Sequence, residues 1–180
     1  AVAGQIIDEG LAESAIQYEG EVTTRNMKPL TAAALAGLLR PLLQDVNLVS
    51  APVLLKERGA PLKESTRDTS PTYESLIRVK VKTGGSWRSL AGAVVAGAPK
   101  IVEVKGMALD APFQPIMLYI NNTDAPGFIG ALGTLLGDAK VNIATFHLGR
   151  GAAGGEAIAF VGIDEPASNE VMERIKSLPQ

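Results

Sequence analysis

The first half of the chain alternates apolar and polar positions in a way that predicts a strand followed by two helices. Residues 15–22 alternate with a period of two, which is typical of a strand with one buried face. Leucine and alanine then recur at three- and four-residue spacing from Leu30 to Leu43, which predicts an amphipathic helix that Pro41 bends. A second short helix is expected over residues 51–58.

Strands dominate the stretch that follows. Residues 75–82 alternate strongly, Gly84-Gly85 supplies a turn, and residues 87–95 form the returning strand, so the pair predicts a β-hairpin. Residues 101–105 alternate again, and residues 107–110 supply a short partner strand. This first region therefore predicts a sheet combined with helices.

A domain boundary is expected near residue 112, because two prolines fall close together there. The chain beyond it predicts a βαββα order with strands at 116–121, 141–148 and 156–163, a helix opening near 126, and a helix at 168–178. A ferredoxin-like unit has the order βαββαβ, so its last strand is missing from this pattern. Residues 1–9 resemble the last turns of a helix.

The predicted fold class is α+β, with two α/β sandwich domains at residues 1–112 and 113–180. Hydrophobic residues make up 46% of the 180 positions and charged residues 20%, as in ordinary folded proteins. The 17 basic and 19 acidic residues leave a net charge of -2 without a long basic run, which argues against nucleic acid as a partner. The apolar stretches are too short to span a bilayer, so we expect no membrane association and a cytoplasmic location.

The residue types present exclude most catalytic centres. The chain has no cysteine, which removes thiolate nucleophiles, zinc-thiolate sites and iron-sulfur ligation. It has one histidine, His147, so a multi-histidine metal centre is excluded as well. We therefore expect no catalytic residues and no metal site in this chain.

Three short segments resemble the ACT domain, the amino-acid-sensing module of biosynthetic enzymes. Residues 121–129 read Asn-Asn-Thr-Asp-Ala-Pro-Gly-Phe-Ile, residues 133–137 read Gly-Thr-Leu-Leu-Gly, and residues 141–144 read Val-Asn-Ile-Ala. The resemblance covers residues from about 114 to 180.

Two segments nearer the start resemble the intervening domain of the longer class of D-3-phosphoglycerate dehydrogenases. They are residues 46–59, Val-Asn-Leu-Val-Ser-Ala-Pro-Val-Leu-Leu-Lys-Glu-Arg-Gly, and residues 100–106, Lys-Ile-Val-Glu-Val-Lys-Gly. Together the resemblances imply a regulatory fragment of an NAD-dependent enzyme of L-serine biosynthesis. We expect no Gly-x-Gly-x-x-Gly after a strand here, so NAD would bind in upstream catalytic domains that this chain lacks.

The resemblance also implies an effector site for L-serine or a similar amino acid, shared in a homo-oligomer that forms through the ACT domain, the intervening domain or both. An amino acid needs an acceptor for its ammonium and donors for its carboxylate. Asp124 offers the acceptor, and the N–H groups of Gly127, Phe128 and Ile129 offer donors at a helix start. The alternative role for Asp124 is a plain helix cap.

Three further residues complete the predicted sites. Asn142 carries an amide that both donates and accepts, and its alternative role is to satisfy local backbone. Asn122 stands where related proteins often carry tyrosine or histidine, which affects effector identity. Lys100 matches one basic position of a second anion site that the intervening domain offers in some relatives.

Two other functions remain open at this point. L-serine dehydratases also join an intervening-type domain to an ACT module, so the chain fits a regulatory region of that enzyme. A purely structural oligomerisation module is the other alternative. The glycine-rich run at 149–155 suggests a phosphate cradle, but it is predicted to join two antiparallel strands, which favours a hairpin turn.

Overall fold

The computed structural model describes residues 10–178, which divide into two compact units, unit 1 ending at Lys105 and unit 2 beginning at Gly106. This confirms the predicted α+β class with two regions. The predicted boundary after residue 112 lies a few residues later in the chain and stays a prediction, as does the ACT identity of the second domain. The helical turns predicted for residues 1–9 fall outside the described residues.

Within residues 10–178, unit 1 contains five strands and two helices, and unit 2 contains four strands and two helices. In unit 1 they are β1 (Glu13–Gly20), a 3-10 turn (Glu21–Thr24), α1 (Lys28–Leu39), α2 (Ser50–Glu57), β2 (Leu62–Arg67), β3 (Ser75–Thr83), β4 (Ser86–Val95) and β5 (Ala98–Val104). In unit 2 they are β6 (Met107–Pro112), β7 (Met117–Thr123), α3 (Phe128–Asp138), β8 (Ile143–Arg150), β9 (Glu156–Ile163) and α4 (Asn169–Lys176).

Unit 1 is a mixed sheet with strands in the order β2-β1-β3-β4-β5. β1 pairs with β2 in parallel, and the other neighbouring pairs within this order are antiparallel. Helices α1 and α2 pack against one face of the sheet. The core there is built from buried aliphatic side chains and one tyrosine: Ile16, Tyr18, Leu35, Leu38, Leu39, Ala51, Leu55 and Val81.

Helix α1 ends four residues earlier than its leucine spacing predicts. It stops at Leu39 with Arg40 as its C-cap, so Pro41 follows the helix and does not bend it. Pro41 lacks an N–H and so cannot make the next helical hydrogen bond, to Gly37, which explains the end although Arg40 keeps helical dihedrals. Leu42 and Leu43 still pack against the unit 1 core, although they lie outside the helix.

The β3–β4 hairpin confirms the prediction for 75–82 and 87–95. Gly84 and Gly85 both have positive φ, at 54° and 77°, as a two-residue primed turn requires. β2 is an element that the apolar pattern does not predict, since its sequence Leu-Lys-Glu-Ser-Thr-Arg is exposed at five of six positions. In the described part of the chain it forms one edge of the unit 1 sheet, where polar side chains are tolerated.

Arg78 is the centre of an ion network on β3. Its Nη1 donates to Oε1 of Glu19 at 2.6 Å, while Nε and Nη2 donate to both carboxylate oxygens of Glu103 at 3.1 and 2.8 Å. The hydrogen bonds to Glu103, followed by its charge and the contact with Glu19, raise the pKa of Arg78 against the opposing effect of burial. The side chain of Glu19 is only 3% exposed.

Unit 2 contains a sheet in the order β7-β9-β8, with β9 antiparallel to both neighbours. This confirms the predicted βαββα order of elements. Helices α3 and α4 pack on the sheet through a core that includes Leu118, Ile120, Phe128, Leu132, Leu136, Val161 and Val171. Because β7 and β8 are both antiparallel to β9, they run in the same direction, and their last residues lie at the same end of the sheet.

Candidate functional site

Five of the seven predicted site residues lie between the end of β7 and the first turn of α3. α3 begins at Phe128 after Gly127, whose φ of 94° lies in the left-handed region that favours glycine. Gly127 is the N-cap and has no side chain, so Asp124 does not have the capping role considered for it. Phe128 is buried in the core, which leaves only its backbone for a ligand, whereas Ile129 is half exposed.

Asp124 is bonded to the turn between β8 and β9. Its Oδ2 accepts a hydrogen bond from Nη1 of Arg150 at 3.0 Å and a longer one from the N–H of Gly154 at 3.4 Å. Its own N–H donates to the carbonyl of Gly155 at 2.7 Å. The loop that follows β7 and the glycine-rich turn are therefore held together around this carboxylate.

Asn122 lies in the same neighbourhood and is almost fully buried. Its Nδ2 donates to the carbonyl of Thr123 at 2.7 Å, and its Oδ1 has no hydrogen-bond partner among residues 10–178. Asn122 is paired with Ala157 of β9, and Ala157 is paired in turn with Arg150 of β8. Cross-strand partners point to the same face, so Asn122 and Arg150 flank a small alanine on one side of the sheet.

Arg150 bonds Asp124, a contact that sequence reasoning missed. Parallel strands of a βαββα unit end on the same side of the sheet, and Arg150 is the last residue of β8. It belongs to the glycine-rich run that suggested a phosphate cradle, and the expectation that no Gly-x-Gly-x-x-Gly follows a strand is wrong, because this run starts at the end of β8. Gly149, Gly151 and Gly154 do have Gly-x-Gly-x-x-Gly spacing, yet they connect β8 to β9 and no helix N-terminus follows them.

Asn142 lies at the other end of this sheet. It is exposed, comes just before β8, and its Nδ2 donates to Oδ2 of Asp164 at 2.7 Å. Asp124 follows the end of β7, which runs parallel to β8, so the two residues are separated by the length of a strand, on the order of 20 Å. One chain by itself does not bring Asp124 and Asn142 into the same pocket.

Lys100 lies in unit 1, whereas the other predicted site residues lie in unit 2. It is half-buried on β5, where it pairs with Ala93 of β4. The second anion site that the resemblance implies there stays a prediction.

Within residues 10–178, none of the helices has the length and apolar character that a membrane span requires. The same range contains no group of three or more histidine, cysteine or acidic side chains placed to hold a metal ion.

Comparison with known proteins identifies the family. The family model described as the D-3-phosphoglycerate dehydrogenase intervening domain matches residues 1–105. A D-3-phosphoglycerate dehydrogenase of Methanocaldococcus jannaschii is 32% identical over 97% of this chain and 33% of the relative. The Bacillus subtilis enzyme is 32% identical over 99% of this chain and 34% of the relative, and the Archaeoglobus fulgidus enzyme is 35% identical over 91% and 32%.

The chain thus spans about a third of the length of the curated relatives it matches. The match to the family model covers more than half of its 180 residues. On these grounds the chain belongs to the D-3-phosphoglycerate dehydrogenase family and contains the intervening domain of that family.

Proposed function

We propose that this chain is a regulatory part of a D-3-phosphoglycerate dehydrogenase and that unit 2 binds L-serine or a similarly small amino acid. The observation that carries the proposal is the buried Oδ1 of Asn122, which lacks a partner in the described structure and lies on the strand that leads to Asp124. Buried polar atoms nearly always have a hydrogen-bond partner in native proteins. A ligand ammonium or hydroxyl would supply the missing donor.

The start of α3 suits the two charges of an amino acid. The carboxylate of Asp124 accepts the ammonium in a charge-assisted hydrogen bond. The backbone at Gly127 to Ile129 and the positive end of the α3 dipole favour the carboxylate, and no acidic side chain in the first turn opposes it. These features support a zwitterionic ligand over a simple cation or anion.

Asn142 takes part in this site only if a second copy of the chain provides it. A symmetric dimer contacts itself through the same patch on both chains. If the strands of the two sheets run in opposite directions, the Asp124 end of one copy meets the Asn142 end of the other. We propose that the ligand binds between the copies and shifts their relative orientation through its differential affinity for the two arrangements.

The parent enzyme, under this proposal, oxidises 3-phosphoglycerate with NAD in domains that lie outside this chain. The residues here do not fit the cofactor, because the one Gly-x-Gly-x-x-Gly spacing joins two strands. Both of these relatives are D-3-phosphoglycerate dehydrogenases, which favours this parent over an L-serine dehydratase. A cytoplasmic location and contact with the upstream catalytic domains belong to the same proposal.

Calorimetric titration of L-serine into the 180-residue chain tests the site. Asp124→Asn keeps the shape of the side chain and removes its charge, so affinity should fall roughly 10- to 100-fold. Asp138→Asn is the matched control, because it removes one carboxylate from the exposed end of α3 in the same unit. It should bind serine as the parent chain does.

A mixture of Asp124→Asn and Asn142→Ala chains tests the shared pocket. In a symmetric dimer, each variant alone has no intact pocket, whereas random mixing restores about a quarter of them. Partial recovery of serine binding in the mixture supports the intersubunit site. No heat with the parent chain, or full binding by Asp124→Asn, would overturn the proposal.

A further inference from the structure

We propose that the Arg150 side chain binds the ligand carboxylate together with the start of α3, so that the Asp124–Arg150 ion pair recognises both charges of an amino acid. This inference rests on the proposed amino-acid-binding function and extends it to a residue outside the predicted set. It also defines the ligand class, namely molecules with a free ammonium and a free carboxylate attached to the same carbon.

The ion pair leaves much of its bonding capacity unused. A guanidinium has five N–H donors, and the contact with Asp124 uses one of them, from Nη1. No other ion pair or hydrogen bond is formed by the Arg150 side chain within residues 10–178. On the other side, both hydrogen bonds to Asp124 reach Oδ2, which leaves Oδ1 available to a ligand.

The register of the sheet places Arg150 where a ligand at Asp124 would meet it. Arg150 and Asn122 both pair with Ala157 and share one face of the sheet. Ala157 contributes only a Cβ between them and is itself buried. Asn122 contributes the unpartnered Oδ1 to the same region, which is an independent sign that a polar ligand completes it.

The turn that carries Arg150 is fixed relative to Asp124. The N–H of Asp124 donates to Gly155, and Gly154 donates back to the carboxylate. Gly154 has a φ of 73°, a geometry that favours glycine. These bonds hold the two chain segments together, so the Arg150 backbone stays beside Asp124, although the Arg150 side chain itself is 59% exposed.

The separation of Asp124 from Arg150 suits an α-amino acid. The ammonium and carboxylate of such a ligand are joined through a single carbon, so they lie about as close together as the two charges of the ion pair. Binding side by side, the four charges alternate in sign, and each forms charge-assisted hydrogen bonds. A neutral site then binds a ligand with no net charge, and neither Asp124 nor Arg150 loses its partner.

The test crosses two ligands with three proteins in calorimetric titrations. L-serine has both charges, and L-serinamide keeps the ammonium but replaces the carboxylate with a neutral amide; the pH is set so that both amines are protonated. The parent chain should prefer serine roughly 10- to 100-fold. Arg150→Gln should lose serine affinity by a similar factor and bind the two ligands equally.

Arg174→Gln is the matched control, since it removes one positive charge from α4 in unit 2 without touching Asp124. It should discriminate between the ligands as the parent chain does. Thermal unfolding of each variant checks that the fold is retained.

The outcomes separate this inference from the function on which it rests. Serine binding by Arg150→Gln that equals or exceeds the parent's would mean that Arg150 merely competes with the ligand ammonium, and the inference would be overturned while the site stands. Equal binding of serine and serinamide by the parent chain would mean that the carboxylate is not recognised, and this result would also overturn the inference. No binding of serine by the parent chain overturns both.

Discussion

Each unit of the molecule pairs an arginine with carboxylates, and the two pairings differ in how completely they are satisfied. Arg78 in unit 1 is 18% exposed and makes three hydrogen bonds to Glu19 and Glu103. Arg150 in unit 2 is 59% exposed and makes one bond to Asp124. The same two chemical groups therefore occur once as a closed network and once as an open pair.

The difference distinguishes structural from ligand-binding charge. In the unit 1 network, each Glu103 oxygen and three Arg78 nitrogens have partners, so little bonding capacity remains for another molecule. In the unit 2 pair, donors and an acceptor remain available beside a buried oxygen with no partner in the described chain. Counting unused donors and acceptors thus identifies a candidate site more reliably than the presence of an ion pair.

The largest expected effect is the loss of stability in Arg78→Ala. Removing this guanidinium leaves Glu19 buried without its cation, which costs about 3–5 kcal/mol in comparable cases. Arg150→Ala, in contrast, should change the free energy of unfolding by no more than about 1 kcal/mol, because exposed ion pairs contribute little. Urea unfolding followed by circular dichroism measures both. Equal losses of unfolding free energy in the two variants would contradict the distinction between a closed network and an open pair.

A smaller effect is expected from Tyr18→Phe in the unit 1 core. The Tyr18 hydroxyl bonds Thr31 Oγ1 at 2.6 Å, and losing such a bond costs about 1 kcal/mol. Burial raises the pKa of Tyr18 above its ordinary value of 10.0. The neutral form is therefore favoured in the folded state, and the resulting stability is present below pH 10.0 and lost as the pH rises further.

Unfolding curves at neutral and alkaline pH check this prediction. The stability difference between the parent chain and Tyr18→Phe should shrink above the ordinary tyrosine pKa, because the variant has no phenol to ionise there. A difference that grows with pH would contradict the assigned sign.

The smallest expected effect concerns Glu13, at the sheet surface of unit 1. The hydrogen bond from Lys82 at 2.9 Å, with the charges of Lys82 and Lys63, holds the pKa of Glu13 below its ordinary value of 4.5. Its contribution is thus present above pH 4.5 and lost as the pH falls through the lowered pKa. Glu13→Gln should differ slightly from the parent in urea midpoint at neutral pH, with a difference that vanishes in acid.

The sequence predicts those parts of the fold whose signals are local. Gly84-Gly85 between alternating runs identifies the β3–β4 hairpin, and the leucine spacing identifies α1. The pattern fails where a neighbour decides the structure. β2 has no apolar alternation and is a strand because β1 lies beside it. Pro41 lacks the N–H that would extend α1, and Leu42 and Leu43 pack against the core outside the helix, so the leucine spacing overestimates the helix length.

The sequence predicts the candidate site in part, again where the signals are local. The Asn-Asn-Thr-Asp-Ala-Pro-Gly run indicates the loop, and Asp124 and Asn122 lie in it. Whether Asn142 shares their pocket depends on strand direction, and the structure places it at the opposite end of the sheet. Only the pairing register of the strands places Arg150 beside Asp124, because 26 positions separate the two residues in sequence.

The parallel pairing of β1 with β2 has a practical consequence for anyone trimming or transplanting unit 1. The Ser14 hydroxyl donates to the carbonyl of Pro61, 47 positions further along the chain, and β1 is also the neighbour of β3. A cut anywhere inside Glu13–Gly20 would separate β2 from the sheet together with the helices that precede it. Portable versions of this domain must therefore start ahead of Glu13 and keep that strand whole.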